Sequence, residues 1–202
     1  MKLRHSSQLA QEVWRLPKIK NSANCDEAQY IATMNSPTQY DFLCGIGFDV
    51  HPLKPVENAC GIVLCGIPIP CSFAVIAHSD GDVALHALVD ALLGAIGEGD
   101  IGEHFPPSDL RWKNANSIQF LEHALTLCQQ KKAQLVNIDI TIICEHPKIS
   151  PYKTQMRKQL SQVLLLPIER INIKATTTER LGFLGRSEGI AAQAIASIKI
   201  PI

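Results

Sequence analysis

Residues 81–96 constrain the fold of this chain more than any other segment. The segment has helical spacing and is apolar nearly all round, so it must be buried between other elements instead of lying on a surface. Asp82, His86 and Asp90 interrupt it at intervals of four residues, which places all three on one helix face. A solvated polar stripe is the simpler interpretation, but the apolar neighbours disfavour it. We therefore predict that His86 is a metal ligand, with Asp82 or Asp90 orienting an imidazole beside the ion.

A second segment supplies the other ligands of such a site. Residues 45–51 form a predicted strand in which Asp49 and His51 stand two positions apart, so both side chains point to one face and can reach one ion. Together with His86 they give two imidazoles and one carboxylate around an open fourth position, the ligand set of a zinc ion that acts on substrate. A histidine satisfied by hydrogen bonds in the core is the alternative for His86.

The composition excludes several classes of function. Lys and Arg total 19, as do Asp and Glu, so no global positive field attracts nucleic acid or an anionic membrane. The seven cysteines include no Cys-x-x-Cys pair and indicate reduced thiols. Polar residues interrupt the most apolar region before it reaches the length of a membrane span, about 18 residues. We expect a cytoplasmic protein, with a plastid-type organelle as the alternative if the N-terminal segment is a transit peptide.

The chain changes character near residue 42. We expect residues 1–42 to be a poorly ordered extension and residues 43–202 to be the folded domain. β-branched residues and apolar alternation predict strands at 42–50, 61–67, 138–144, 171–176 and 189–200, with hairpin-like pairing near 61–69. Helices are predicted at 81–96, at 116–132 and between Ser150 and Pro167. This pattern indicates an α+β domain, a two-layer sandwich in which helices cover one face of a mixed β-sheet.

Several loops carry groups that bind phosphate or hydroxyl groups, although each has an ordinary structural interpretation. His78 and Ser79 precede the helix at 81–96, where they can bind a phosphate oxygen or belong to a capping loop. Asp100 lies in a long acidic loop and can hydrogen-bond a polyol or serve a turn. Lys148 can bind a phosphate, or its loop can be an exposed link between a strand and a helix.

Two further segments of this kind follow towards the C-terminus. Residues 174–180 contain three threonines and Glu179, which can bind phosphate and a hard ion such as magnesium, although threonines are also ordinary strand residues. In the glycine-rich turn at 182–189, Arg186 can bind a phosphate or form an intersubunit ion pair. The residues themselves favour neither interpretation.

Taken in order, these motifs resemble those of the 2-C-methyl-D-erythritol 2,4-cyclodiphosphate synthase family of the non-mevalonate isoprenoid pathway. The resemblance covers about residues 43–200 and depends on an ordered series: Gly-x-Gly-x-Asp-x-His at 45–51, Ala-His-Ser-Asp-Gly-Asp-Val-x-x-His at 77–86, Asp-Ala-Leu-Leu-Gly-Ala at 90–95, Gly-Asp-Ile-Gly at 99–102, Pro-Lys at 147–148 and Lys-Ala-Thr-Thr-Thr-Glu at 174–179. It implies a homotrimer with active sites between subunits. It also implies a substrate, 4-diphosphocytidyl-2-C-methyl-D-erythritol 2-phosphate, that is cyclised with release of CMP.

The resemblance further implies roles for individual residues. Asp49, His51 and His86 would bind Zn²⁺, and Glu179 would bind Mg²⁺ or Mn²⁺. His78 and Thr177 would stabilise the transition state. The substrate would contact Asp49, Val50, His51, His78, Ser79, Asp100, Ile101, Gly102, Phe105, Asp109, Cys144, Pro147, Lys148, Ile149, Ser150, Thr176, Thr177, Thr178, Glu179, Phe183 and Arg186. Two features depart from the family pattern: Pro107 stands where members commonly have an acidic residue, and residues 1–42 have no counterpart in the core family.

Two other functions agree with a three-ligand metal site. A different metal-dependent phosphohydrolase of nucleotide diphosphates would need a water nucleophile and a general base, and it would give no cyclic product. A non-catalytic assembly module stabilised by zinc would need a fourth protein ligand that closes the site. Neither a membrane nor a nucleic acid is expected as a partner.

Overall fold

The computed structural model of this protein describes residues 39–57 and 61–202. Most of the extension predicted at residues 1–42 therefore lies outside the described residues. From Gln39 to Ile202 the chain forms one compact unit, and its first strand begins at Tyr40, slightly before the predicted start of the domain. None of the helices within these two ranges combines the length and the hydropathy that a membrane span requires.

A five-stranded mixed sheet forms one layer of this unit. Its strands are β1 (Tyr40–Pro55), β4 (Phe73–Val75), β5 (Gln134–Ile143), β6 (Ile171–Thr176) and β7 (Gly189–Pro201), in the spatial order β4-β1-β7-β5-β6. Neighbouring strands are antiparallel except β5 and β6, which are parallel. The short strands β2 (Ile62–Leu64) and β3 (Ile67–Ile69) pair as a separate antiparallel hairpin. The mixed sheet expected from the sequence is confirmed.

Helices form the second layer. The longer ones are α1 (Val83–Ile96), α3 (Ser117–Gln130) and α4 (Lys153–Leu164); α2 (Ile101–His104) and α5 (Gly182–Gly185) are single turns. Within residues 39–57 and 61–202, 3₁₀ turns lie at Leu110–Trp112, Ser150–Tyr152 and Ile168–Arg170. α1 packs on β1 and β7 and is covered by α3, so 12 of its 14 residues are buried. This position explains why α1 is apolar nearly all round.

Two glycines bring α1 close to β1. A Cβ atom at Gly45 or Gly47 would lie 1.9 or 2.0 Å from main-chain carbonyl oxygens of α1, so any other residue would push the helix away. Because side chains alternate along a strand, Asp49 and His51 point to the same helix-covered face as these glycines. The close approach therefore places His86 of α1 within reach of both.

The opposite face of the sheet is apolar and exposed. Phe42, Ile46, Phe48 and Val50 alternate along β1 with the residues that face α1, and Ile195 lies opposite Ile46 on β7. Their exposed fractions run from 39% at Ile195 to 71% at Phe42. We call these five residues the outer apolar strip. Contiguous exposed surfaces of this kind mark sites of association.

The structure corrects some element boundaries. The strand predicted at 61–67 ends at Leu64, because Cys65 and Gly66 adopt positive φ angles of 52° and 74° and turn the chain into the β2–β3 hairpin. The hairpin-like pairing predicted near residues 61–69 is confirmed. The helix predicted from residue 81 begins at Val83, because Asp82 is its N-cap. The strand predicted at 42–50 continues to Pro55, where it pairs with β4.

Candidate metal centre and active site

Three potential metal ligands converge where β1 passes beneath α1. Asp49 and His51 come from β1 and His86 from α1, and one ligand atom from each lies within 4.8 Å of the others. The Oδ2 atom of Asp49 is 3.0 Å from Nδ1 of His51 and 3.0 Å from Nδ1 of His86. A carboxylate oxygen and two imidazole nitrogens at this spacing can hold a divalent ion. We call these three residues the triad.

The electrostatics of the triad favour a cation. Partial burial opposes ionisation of Asp49, but the neighbouring imidazoles of His51 and His86 outweigh it, so the pKa of this carboxyl lies below its usual range. Nδ1 of His51 is buried and has no well-aligned hydrogen-bond partner among the described residues, although it lies 3.0 Å from Oδ2 of Asp49. A buried nitrogen of this kind needs a partner, and a metal ion between the three side chains would supply one.

A cavity of about 200 Å³ opens beside the triad. His51 and His86 line it, so the potential ligands can be reached from one side. The other lining residues come from α2, α3 and the adjoining loops: His78, Ser79, Ile101, Gly102, Phe105, Pro107, Trp112 and Phe120. Trp112 and Phe120 were not predicted, because aromatic residues in and near helices usually belong to a core. The arrangement can hold a small molecule against a metal site.

The second ring nitrogen of His86 points away from the other ligands. Its Nε2 atom lies 2.9 Å from Oγ of Ser117 and 3.3 Å from Oγ of Ser79. Ser117 is fully buried at the first turn of α3. This contact could not be predicted, since a serine near a helix start is ordinarily only a cap. Among the described residues, hydroxyl groups and no carboxylate contact Nε2 of His86.

The prediction that Asp82 or Asp90 orients the imidazole is wrong. Asp82 accepts hydrogen bonds from the main-chain N–H groups of Leu85 at 3.0 Å and Gly66 at 2.7 Å, which ties the start of α1 to the hairpin. Complete burial outweighs these bonds and raises the pKa of Asp82 to about 6. Asp90 accepts a hydrogen bond from the main-chain N–H of Ile101 at 2.8 Å, and burial raises its pKa as well. Both carboxyl groups have structural roles.

The loop after α1 reaches the triad cavity only in part. Asp100 caps α2 by accepting a main-chain N–H at 3.0 Å, and Asp109 pairs with Arg111 at 2.6 Å. Neither carboxylate is among the residues that line the cavity, whereas Pro107 is. The predicted contacts of Asp100 and Asp109 with substrate therefore stay predictions. Pro107, where this chain differs from the family pattern, lines the cavity.

A second cavity, of about 310 Å³, lies at the ends of β5 and β6. Glu179 lines this cavity and not the cavity of the triad. Seven of the other lining residues are predicted substrate contacts: Cys144, Pro147, Lys148, Ile149, Ser150, Thr176 and Thr177. Glu145 and Ala175 complete the lining of this cavity. Within the described part of one chain, the two sets of predicted metal ligands thus belong to separate cavities.

The turn that carries Glu179 has a strained backbone. Glu179 and Arg180 have φ angles of 53° and 63°, in the left-handed region that costs about 1–2 kcal/mol per residue. The Glu145 carboxylate supports this turn by accepting hydrogen bonds from the main-chain N–H groups of Thr178 and Arg180, each at 3.1 Å. The bond from Arg180 is the main cause that lowers the pKa of Glu145. Thr177 donates a hydrogen bond to Glu179 at 3.2 Å.

Besides Asp100, Asp109 and the triad residue Asp49, four predicted substrate contacts line neither cavity in the described residues. Val50 belongs to the outer apolar strip, and Phe183 is 46% exposed. Arg186 forms an ion pair with Glu188 at 2.8 Å. The Thr178 hydroxyl donates a hydrogen bond to a main-chain carbonyl at 2.8 Å. The contacts of these residues with substrate stay predictions.

Comparisons with known proteins identify the family. The sequence profile of the YgbB family matches residues 42–199. The chain belongs to the YgbB family. One relative, the bifunctional enzyme IspD/IspF of Caulobacter vibrioides (strain NA1000 / CB15N), is 52% identical over 157 residues, which cover 78% of this chain and 40% of that protein. The chain thus spans about two-fifths of the length of the curated bifunctional relatives it matches.

This YgbB-family chain also resembles solved structures. IspF of Plasmodium falciparum in complex with CDP has a TM-score of 0.69 and 35% identity, covering 79% of this chain and 96% of that one. A 2C-methyl-D-erythritol-2,4-cyclodiphosphate synthase has a TM-score of 0.70 and 38% identity, covering 77% of this chain and 99% of that one. The resemblance inferred from the motifs and the α+β fold are both confirmed.

Proposed function

We propose that residues 43–202 convert 4-diphosphocytidyl-2-C-methyl-D-erythritol 2-phosphate into 2-C-methyl-D-erythritol 2,4-cyclodiphosphate and release CMP. The observation that carries this proposal is the convergence of Asp49, His51 and His86 beside a cavity, in a chain with a cyclodiphosphate synthase among its relatives. The CDP complex of a second relative supports a cytidyl diphosphate as the substrate. The bacterial relatives support a cytoplasmic location over the plastid-type alternative.

The reaction needs no nucleophile from the protein. The 2-phosphate of the substrate attacks its own β-phosphorus, and the bond from that phosphorus to the CMP oxygen breaks. The protein must hold the two phosphates close and in line, which contributes about 7–11 kcal/mol in well-oriented intramolecular reactions. His78 and Ser79 in the triad cavity, and Thr176 and Thr177 in the second cavity, offer hydrogen bonds to phosphate oxygens. We assign transition-state contacts to His78 and Thr177.

The metals are assigned from the donor atoms. Two imidazole nitrogens and one carboxylate oxygen fit Zn²⁺, and the unpartnered Nδ1 of His51 is an atom that such an ion would satisfy. When bound, the ion supplies Lewis-acid polarisation of a phosphate oxygen. The Glu179 carboxylate is a hard oxygen ligand of the kind that Mg²⁺ or Mn²⁺ prefers, and such ions usually share their coordination with substrate phosphates.

The active site is completed between copies of the chain in a homotrimer. Glu179 and the triad belong to different cavities of one chain, whereas the reaction needs both groups on one substrate. The outer apolar strip offers a surface that a second copy would cover.

We expect sedimentation to give a trimer, and Phe48→Glu to give monomers that release no CMP. Leu165→Glu, which changes an exposed leucine outside the strip, should leave the trimer intact, and an active wild-type monomer would contradict this assembly.

Product analysis tests the activity directly. The purified chain is incubated with the cytidyl substrate, Zn²⁺ and Mg²⁺, and the products are followed by chromatography and phosphorus NMR. We expect CMP and the cyclic diphosphate in equal amounts. CMP with a linear product would identify a phosphohydrolase instead, and the absence of both products from metal-loaded trimer would reject the proposal.

Glu179→Gln tests the second ion. Loss of the carboxylate should raise the Mg²⁺ concentration needed for half-maximal turnover while leaving zinc affinity unchanged. Glu169→Gln changes an exposed carboxylate in a 3₁₀ turn and serves as the matched control. An unchanged Mg²⁺ dependence in Glu179→Gln would remove this residue from the assignment.

The non-catalytic zinc module is less well supported. Within the described residues the cluster offers three protein ligands, and two of them line a cavity. A structural zinc site is closed by a fourth protein ligand, whereas an open position beside a cavity is typical of a catalytic site.

A further inference from the structure

We infer that Ser117 and Asp80 position His86 for metal binding by fixing which ring nitrogen carries the proton. The inference rests on the proposed metal centre but concerns groups outside the ligand set. The hydroxyl of Ser117 lies between the other two side chains, 2.9 Å from Nε2 of His86 and in a short hydrogen bond to Oδ1 of Asp80. A hydroxyl so placed has to donate to one neighbour and accept from the other.

Asp80 determines which neighbour receives the hydroxyl proton of Ser117. Its carboxylate accepts hydrogen bonds from the Ser117 hydroxyl, from the main-chain N–H of Ser117 at 3.0 Å and from the main-chain N–H of Asp82 at 3.2 Å. A carboxylate has no proton to donate, so the only hydroxyl proton of Ser117 is committed to Asp80. The hydroxyl oxygen is left as an acceptor, and Nε2 of His86 must donate to it.

A proton on Nε2 makes Nδ1 the nitrogen with the free lone pair. Nδ1 is the atom that lies 3.0 Å from Oδ2 of Asp49, the same oxygen that approaches His51. Two acceptor atoms then face each other, so either a further proton or a metal ion has to lie between them. The Asp80–Ser117 pair thus presents His86 in the tautomer that binds a metal through Nδ1.

Ser79 does not provide the same control. Its Oγ is farther from Nε2 of His86, at 3.3 Å, and it accepts a hydrogen bond from the main-chain N–H of Gly81 at 3.2 Å. No carboxylate among the described hydrogen bonds holds its hydroxyl proton, so this hydroxyl can rotate. Ser117 is fully buried and His86 is only 8% exposed, so water has little access to Nε2 if the Ser117 hydroxyl is removed.

Zinc dissociation constants of the full chain test the inference, measured by competition with a chromophoric chelator and without any substrate. Ser117→Ala removes the acceptor for Nε2, and we expect zinc to bind about 10–100-fold more weakly. Asp80→Asn keeps the buried hydroxyl but introduces an amide that can donate to Ser117, which turns the hydroxyl proton towards His86 and disfavours the required tautomer. We expect Asp80→Asn to lose zinc affinity by the same factor. This variant also tests the inference if Ser117→Ala does not fold.

Asn116→Ala is the matched control. The Asn116 side chain caps the same helix by accepting a hydrogen bond from the main-chain N–H of Ile118 at 2.9 Å. Its loss should lower the thermal unfolding temperature and leave the zinc dissociation constant unchanged. Wild-type zinc affinity in both Ser117→Ala and Asp80→Asn, or an equal loss of affinity in Asn116→Ala, would overturn the inference. Failure of the wild-type chain to bind zinc would reject the metal centre itself, together with the inference that rests on it.

Discussion

The two cavities of this chain are built in opposite ways. The triad lies where β1 passes beneath α1, and the separation of these two elements is set by main-chain contact at Gly45 and Gly47. The second cavity lies at the ends of β5 and β6, on loops and on a turn with two residues in the left-handed region. The first is supported by the hydrophobic core, and the second by hydrogen bonds to the partly exposed carboxylate of Glu145.

This difference predicts that the second cavity is more easily perturbed than the triad. The triad needs nothing beyond the core of one chain, so zinc binding should survive damage to the second cavity. The Glu179 turn depends on a few hydrogen bonds near solvent, so local changes can loosen it without unfolding the protein. Four measurements test this contrast.

The largest effect is expected from removal of a triad ligand. His86→Ala deletes the ligand that α1 contributes, so zinc binding should be lost and CMP release should fall by about 10³-fold or more. Metal analysis of the purified protein and steady-state kinetics measure the two effects. His123→Ala, which removes a histidine of α3 outside the triad, should retain its zinc. Wild-type zinc content in His86→Ala would refute the ligand assignment.

Gly47→Ala should cost about 3 kcal/mol of unfolding free energy, because the added methyl group would meet a carbonyl oxygen of α1 at 2.0 Å. The displaced helix should also bind zinc less tightly. Gly94→Ala is the matched control on α1 itself, since nothing lies within 4 Å of its Cβ position. The unfolding free energy of Gly94→Ala should rise by about 0.5–1 kcal/mol. Urea denaturation measures the unfolding free energies of both variants. Equal values for Gly47→Ala and Gly94→Ala would show that the strand and the helix are not in tight contact.

Asp82 should make stability fall as pH rises. Its pKa is about 6 in the folded chain and near its ordinary value of 3.8 in the unfolded chain, so between these values the folded state binds more protons. The unfolding free energy should therefore decrease, by on the order of 2 kcal/mol, from about pH 4 to about pH 7. Asp82→Asn cannot ionise, so its unfolding free energy should lack this decrease with pH. Denaturation curves of both proteins across that range measure it, and parallel pH profiles would exclude Asp82 as its source.

The smallest effect is expected at the second cavity. Glu145→Ala removes the acceptor for two N–H groups of the Glu179 turn, so the Mg²⁺ concentration for half-maximal turnover should rise about tenfold. Zinc affinity should not change. Glu122→Ala, on the exposed side of α3, serves as the control. A weaker zinc site in Glu145→Ala would mean that the two cavities are coupled, either within one chain or across a subunit interface.

Local sequence rules were enough to predict the triad. Residues two apart on a strand share a face, and a histidine in an almost wholly apolar helix needs a partner. The same helical spacing misled at Asp82, because the rule assumes that residue 82 lies within the helix, whereas the residue caps it. The error shows that side-chain direction changes abruptly at a helix terminus.

Contacts between distant segments could not be predicted in this way. Ser117 reaches His86 across 31 residues of sequence, and Glu145 reaches Arg180 across 35. These contacts depend on how α3 packs on α1 and on where β5 and β6 end, which one sequence does not specify. Strand β4, with three residues, and helix α2, with four, are too short to show any periodicity. The homotrimer stays a prediction.

The glycines of β1 bear on the choice of metal ion. A gap that is set by side chains can widen or narrow when one of them changes rotamer, but a gap set by hydrogen atoms and carbonyl oxygens has no rotamer to change. The distance between the strand-borne and helix-borne ligands is therefore insensitive to repacking elsewhere in the core. Discrimination between ions of different radius would then be encoded in the main chain, and substitutions of core side chains should alter stability well before they alter that discrimination.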